Sequence, residues 1–305
     1  MSRSIGLFQE QSSVIVNRKA PRSGIAMGRL RGLIRDFQPP RGMVALWWLG
    51  QSGFVIKLAG KIIYLDVFFT PVPIRVVPPL LTAVQVDHAD IICGTHDHLD
   101  HIDRPSWPAL AKASPAAIFV VPELVRRSLI RDLGIPAGRL VGVDEKEPAR
   151  IGPITIFAMP ASHEFLDRDP KTGLHPFLGY VIQADGWTIY HAGDTCVYEG
   201  IHDKLRRFKP DVMLLPINGR DGRRLKSGCI GNMTFQEAVD LAGNIAPGLV
   251  APIHYDMFKF NAQDPKHFME YLRVKYPAQH GIIFKRGKLT LLKKSRGNGV
   301  EVKVP

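Results

Sequence analysis

Residues 95–101 read Thr95-His96-Asp97-His98-Leu99-Asp100-His101, which places three imidazoles and two carboxylates within seven positions. The run before them, Ala89-Asp90-Ile91-Ile92-Cys93-Gly94, reads as a short buried strand ending at a glycine. The charged cluster therefore sits in a loop at a strand end. His96 and His98 are two residues apart, and an extended backbone turns alternate side chains to the same side. One metal ion can take both rings. Asp100 and His101 follow too closely to reach that ion with good geometry, which points to a second ion beside the first. The competing reading is a solvated polar loop. Five ionisable groups packed this densely behind an apolar strand would desolvate and repel one another without a cation, so the metal reading is preferred.

The pattern His96-x-His98-x-Asp100-His101 resembles the HxHxDH signature of the metallo-β-lactamase superfamily. That family also uses an upstream Asp at a strand end, a later lone His, an Asp in a Gly-Asp turn and a final His after a strand. The chain offers these in order as Asp66, His163, Asp194 and His254. The resemblance covers roughly residues 44–293. It implies two divalent metal ions per chain. His96, His98 and His163 would hold one, Asp100, His101 and His254 the other, and Asp194 would bridge. Imidazole and carboxylate without thiolate suit zinc first, then manganese or iron. Asp66 would orient a ligand histidine or simply close a turn. Asp97 would support a ligand or shuttle a proton, and His191 would support Asp194 or cap its strand.

Periodicity alone allows α/β or α+β. The resemblance implies an α+β, αββα four-layer sandwich, with two facing β-sheets, outer helices and the metals at one sheet edge. Short strands read at residues 45–50, 53–58, 61–65, 117–121, 140–143, 154–158, 179–183, 187–191, 211–217 and 249–253. Helices read at 123–133, 234–245 and 265–275, the second with Thr234 as N-cap and Glu237 three residues on. Residues 282–284 and 288–292 read as a last hairpin. Four prolines between Pro71 and Pro79 mark a loop over the site.

Residues 1–42 read as a basic N-terminal extension, partly helical around 26–37, ahead of a hydrolase domain at 43–305. Eight Lys and Arg in residues 1–41 face only Glu10 and Asp36 and carry much of the net charge of +12. That charge would steer an anionic substrate or serve solubility. No apolar run reaches the ~20 residues of a membrane span, and no secretory signal is legible. The start of the chain reads as an extension rather than a transit peptide. Cys93, Cys196 and Cys229 are odd in number and scattered, which suits free thiols in the cytoplasm. The pattern leaves monomer and oligomer open.

Within the superfamily, Leu46-Trp47-Trp48-Leu49-Gly50-Gln51-Ser52-Gly53, Tyr190-His191-Ala192-Gly193-Asp194-Thr195 and Asn232-Met233-Thr234 resemble the branch of L-ascorbate-6-phosphate lactonase and related metal-dependent hydrolases. The resemblance implies a metal-bound hydroxide attacking the carbonyl of a lactone or ester in an anionic substrate such as a phosphorylated sugar. Asp100 and Asp194 are the catalytic carboxylates of that reading. Arg220 would grip the anion, or belong to a solvated basic loop. Asn232 and the helix N-terminus at Thr234 would add donors, and Tyr255 would bond the oxyanion or pack. Two alternatives stand: a phosphodiesterase acting on nucleic acid or phospholipid, and a non-enzymatic metal-containing sensor or nucleic-acid-binding protein. Nucleic acid is the weaker partner, because no aromatic-rich basic stripe accompanies the charge.

Overall fold

The computed structural model describes residues 24–304 apart from 296 and 298, so the basic residues Arg3, Arg18, Lys19 and Arg22 lie outside the described residues. The chain runs through α1 (Gly24–Asp36), β1 (Met43–Gly50), β2 (Gly53–Leu58), β3 (Lys61–Leu65), β4 (Ile91–Cys93), α2 (Trp107–Ala113), β5 (Ile118–Pro122), α3 (Glu123–Leu133), β6 (Leu140–Val143), β7 (Ala149–Ile151) and β8 (Ile154–Pro160). It continues through β9 (Leu178–Ala184), β10 (Trp187–His191), α4 (Ile201–Phe208), β11 (Val212–Pro216), α5 (Gly222–Lys226), α6 (Phe235–Ile245), β12 (Leu249–Ile253), α7 (Pro265–Lys275), β13 (Leu289–Lys294) and β14 (Val300–Lys303).

Two mixed sheets result. One has the order β14-β13-β1-β2-β3-β4-β5-β6, and the other β12-β11-β10-β9-β8-β7. In each sheet antiparallel hairpins give way to parallel strands, at β3–β4 and at β10–β11. Side chains alternate across β1 and β2 with the period of two that a strand imposes. Leu46, Trp48, Phe54 and Ile56 face Ile156, Tyr180 and Ile182 of the second sheet. Ala45, Trp47 and Val55 face outward, where Ile34 of α1, Leu110 of α2 and Leu129 of α3 cover them. On the far side α4, α6 and α7 bury Leu205, Val239 and Phe268 against the second sheet. This is an α+β, αββα sandwich. Burial on both faces explains why β1 reads as an unbroken apolar run rather than an alternating one.

Helix α1 packs on the first sheet. Lys57 of β2 is only 3% exposed, yet its ammonium donates to the carbonyls of Ile34 (3.0 Å), Arg35 (3.0 Å) and Phe37 (2.6 Å). A cation on the last carbonyls of a helix satisfies its orphan acceptors and complements its dipole. Phe37 meets Trp47 edge-on at 6.1 Å, and Arg31 pairs with Asp87.

Residues 282–284 do not form the strand read from their apolar run. They lie beside β12 through a hydrogen bond from Ile282 N to Val250 O, while β13 takes its outer neighbour from β14. The capping box of α6 forms, with Thr234 Oγ1 accepting from Glu237 N and Glu237 Oε2 accepting from Thr234 N.

Candidate metal centre

Five strand ends converge at one edge of the sandwich. Strand β3 ends at Asp66, β4 at the loop 94–103, β8 just before His163, β10 before Asp194 and β12 before His254. Asp66 (φ 48°) and His254 (φ 59°) both sit in left-handed backbone that ordinary side chains avoid. Such strain clusters where geometry is over-determined by function. Gly193 (φ 61°) makes the Asp194 turn, and a Cβ there would come within 2.4 Å of Leu178 O. No other residue fits that position.

The candidate ligand atoms fall into three overlapping groups: His96, His98 and His163; His96, His101 and Asp194; and Asp100, His101 and His254. Within each group the atoms lie within 4.8 Å of one another. His101 Nε2 stands 3.2 Å from Asp194 Oδ1, and His254 Nε2 stands 3.2 Å from Asp194 Oδ2 and 3.5 Å from Asp100 Oδ2. His101 Nε2, Asp194 Oδ1 and His163 Nδ1 are buried without a hydrogen-bond partner. Buried polar atoms are ordinarily satisfied. His101 Nε2 and Asp194 Oδ1 face each other among imidazoles and carboxylates, as a site for divalent cations requires.

The electrostatics divide the cluster. Burial and the neighbouring His101 and His98 push His96 well below its ordinary range, and burial brings His163 down to about 4. Burial would also lower His254, but Asp194 and Asp100 outweigh it and hold the ring at about 9. His101 is raised against burial by Asp194, Asp100 and Asp66. One triad is thus neutral, and the other couples cationic rings to ionised carboxylates.

Around the ligands, Asp66 accepts from Thr95 N (2.8 Å), Thr95 Oγ1 (2.7 Å) and His101 Nδ1 (2.7 Å). That fixes the tautomer and turns Nε2 inward. His191 is fully buried, donates from Nε2 to Ser52 O and accepts at Nδ1 from Gly193 N. It holds the backbone that carries Asp194. Phe177 packs against His96, His98 and His163 at 5.1–5.8 Å and shields that side from water.

Three residues read from the sequence make contacts other than those expected, and a fourth, Tyr255, takes the packing alternative. Asp97 accepts from Nε and one terminal nitrogen of Arg104 (2.7 and 2.6 Å), which tie it to α3 rather than to a candidate ligand histidine. Arg220 presents its fork to both oxygens of Glu237 (2.7 Å each), so its guanidinium is paired within the fold. Asn232 is buried and donates to Asn218 Oδ1, inside the loop rather than toward a ligand. Tyr255 packs its ring on Trp48 at 5.1 Å.

Gln51 escaped the reading of individual residues. It lies in the two-residue turn between β1 and β2, just past the register shift at Trp48–Gly50, with φ 53° and 2% exposure. Its Nε2 donates to Asp100 Oδ2 (2.9 Å) and lies 3.0 Å from His254 Nε2, while its carbonyl accepts from His254 N (3.0 Å). The signal available was a polar Gln-Ser pair between two apolar strands.

Comparison with known proteins bears on this edge directly. The family described as "Beta-lactamase superfamily domain" matches residues 63–255, which span Asp66, the histidine loop, Asp194 and His254. The chain belongs to the β-lactamase superfamily. Within it, the chain is a member of the UPF0173 metal-dependent hydrolases. It is 30% identical to one from Caldivirga maquilingensis over 224 residues (73% of this chain, 87% of the relative). It is 32% identical to one from Thermococcus kodakarensis over 232 residues (74% and 91%). Among solved structures the metallo hydrolase Igni18 of Ignicoccus hospitalis shares the superfamily fold, with a TM-score of 0.65 at 22% identity over 83% of this chain and all of that one. Among the described residues of this superfamily member, no helix is long and apolar enough to cross a membrane.

Proposed function

We propose that this metal-dependent hydrolase opens a lactone or carboxylic ester in an anionic substrate, using two divalent cations. His96, His98 and His163 would hold one cation, Asp100, His101 and His254 the other, with Asp194 between them. The observation that carries this reading is the meeting of two ligand triads around Asp194 and His101, whose facing oxygen and nitrogen are buried without partners. The cations would supply Lewis acidity toward a carbonyl and lower the pKa of a water. The donor set favours zinc, with manganese or iron as alternatives.

The chain's own side chains do the rest. Asp66 and Thr95 lock His101, and His191 locks the turn that presents Asp194. Asp194 has a side chain only 5% exposed, against 17% for Asp100. Asp100 is therefore the carboxylate in reach of bulk water and carries the proton outward. The likeness of residues 46–53 and 190–195 to the ascorbate-6-phosphate lactonase branch favours a lactone. The three free cysteines suit the cytoplasm.

The deciding experiment is a turnover screen of the metal-loaded protein on lactones, carboxylic esters and phosphodiesters. Lactone or ester turnover that disappears in Asp194→Ala is expected. Turnover of phosphodiesters alone overturns the acyl reading.

A further inference from the structure

Arg220 is paired with Glu237, whereas two guanidiniums in the loops that meet at Gly50 and Met257 carry no such pair among the described residues. Arg75 lies in the proline-rich loop after β3, and this loop is stitched to the segment after His254. Arg75 bridges Phe258, and Val76 N donates to Met257 O at 2.9 Å. Its guanidinium sits 4.8 Å above the Phe68 ring, with Nε donating to Val77 O (2.6 Å) and one terminal nitrogen to Phe68 O (2.7 Å).

Arg286 arrives from the other side. It donates to Pro78 O at 2.6 Å, the carbonyl next to the one Arg75 uses. Its stem runs along Gly50, where a Cβ would stand 3.2 Å from Arg286 Cδ. Gly50 directly precedes Gln51, whose amide touches Asp100 and His254. Among the described residues neither guanidinium forms an ion pair, whereas Arg31, Arg104, Arg220 and Arg224 all do.

Two partly buried cations held side by side repel each other. Burial and the nearby Arg286 bring Arg75 down to about 10, against the pull of Asp103, Asp256 and Asp100. Among the described residues each fork retains a terminal nitrogen with no hydrogen-bond partner, and an oxyanion would satisfy both and relieve the repulsion.

We infer that Arg75 and Arg286 form an oxyanion-binding site on the Gln51 side of the metal centre, taking the carboxylate or phosphate group of the substrate. The inference rests on the proposed reading of an anionic substrate and supplies the residues that recognise it. The carbonyls of Phe68, Val77 and Pro78 hold the guanidiniums in place. The Phe68 ring lies 6.4 Å from that of Phe258, which stacks on Phe260 at 5.8 Å.

The test is calorimetric titration of the metal-loaded protein with inorganic phosphate and, separately, with acetate. Wild type, Arg75→Gln and Arg286→Gln are compared, with metal content measured in each. Arg75 also pins its loop, so Arg286→Gln is the independent variant, and Arg75→Lys retains charge without the fork. The expected result is binding of at least one anion, weakened about tenfold or more in both Gln variants at unchanged metal content. The stronger of the two probes identifies phosphate or carboxylate as the recognised group. Absence of binding to wild type, equal binding in all proteins, or loss of metal together with the anion overturns the site. The titration needs no turnover. If no ester or lactone is hydrolysed, the acyl reading fails while the anion site can still stand. If neutral and anionic lactones are turned over equally and the variants bind anions as wild type does, the anion site fails alone.

Discussion

Asp66 Oδ2 accepts the Nδ1 proton of His101 across 2.7 Å, with both side chains fully shielded from solvent. A buried carboxylate behind a ligand imidazole sets which nitrogen faces the metal and raises that nitrogen's basicity. Asp66→Ala would leave His101 Nδ1, Thr95 N and Thr95 Oγ1 without their acceptor. The expected loss of metal affinity is roughly 10- to 100-fold, read by competition with a chromogenic chelator while circular dichroism checks the fold. Wild-type affinity in that variant would reduce Asp66 to a turn residue.

The contrast between residues that were legible and residues that were not has a physical cause. The histidine loop could be read because its ligands are local: His96, His98, Asp100 and His101 lie within six positions. Asp66, His163, Asp194 and His254 were found only through the resemblance, because three-dimensional convergence leaves no mark at each position alone. Arg220 looked free because its partner Glu237 lies seventeen residues on and across a loop. Gln51 and Arg75 went unread because their contacts come from a hairpin turn and from a loop folded onto the segment after His254. The sandwich itself was legible in its strands, apart from the short β7 and β14, and in four of its helices, α1, α3, α6 and α7. Residues 282–284 were not, since an apolar run that lies beside a strand looks the same in sequence as one that joins a sheet.

Gln51 bears on the second triad alone. Its amide donates to Asp100 and abuts His254, and it touches none of His96, His98 and His163. A hydrogen bond to a charged group is worth roughly 1.5–3 kcal/mol, or about one to two decades in affinity. Gln51→Ala is therefore expected to weaken uptake of a second metal equivalent by that factor and to leave the first unchanged. Titration with zinc, followed by elemental analysis at each plateau, separates the two. Equal weakening of both equivalents would show a general loss of the site.

Lys57 ties α1 to the sheet. Its ammonium meets three carbonyls at the helix end, and only the combined contact justifies burying a charge there. Lys57→Met removes the donor and leaves those acceptors facing an apolar group. A loss of roughly 1–3 kcal/mol is expected, seen as a lower urea midpoint at unchanged metal content. A variant as stable as wild type would mean that solvent satisfies the helix end. Removing residues 1–40 takes away both the carbonyls and the cover over Trp47, and should destabilise the fold more than Lys57→Met does.

The two triads should also differ in how protons compete with metal. In the metal-free protein His254 sits at about 9 and His101 is raised, so both are protonated at neutral pH. His163 lies near 4, and His96 and His98 are lowered, so that triad is already neutral. A ligand imidazole must present a lone pair, and metal uptake therefore releases protons from the Asp100–His101–His254 set only. The sign for folding follows from the same values. His254 is raised from 6.5 to about 9, so its contribution to metal-free stability is complete below the unfolded value and is lost as pH rises through about 9. Metal affinity at this set moves the other way and strengthens with pH over the same interval. Zinc titration in weakly buffered solution at pH 7 should release protons during one of its two phases, and raising the pH to 8 should tighten that phase while leaving the other nearly unchanged. Proton release spread evenly over both phases, or none at all, would refute the division of the centre into a neutral and a charged half.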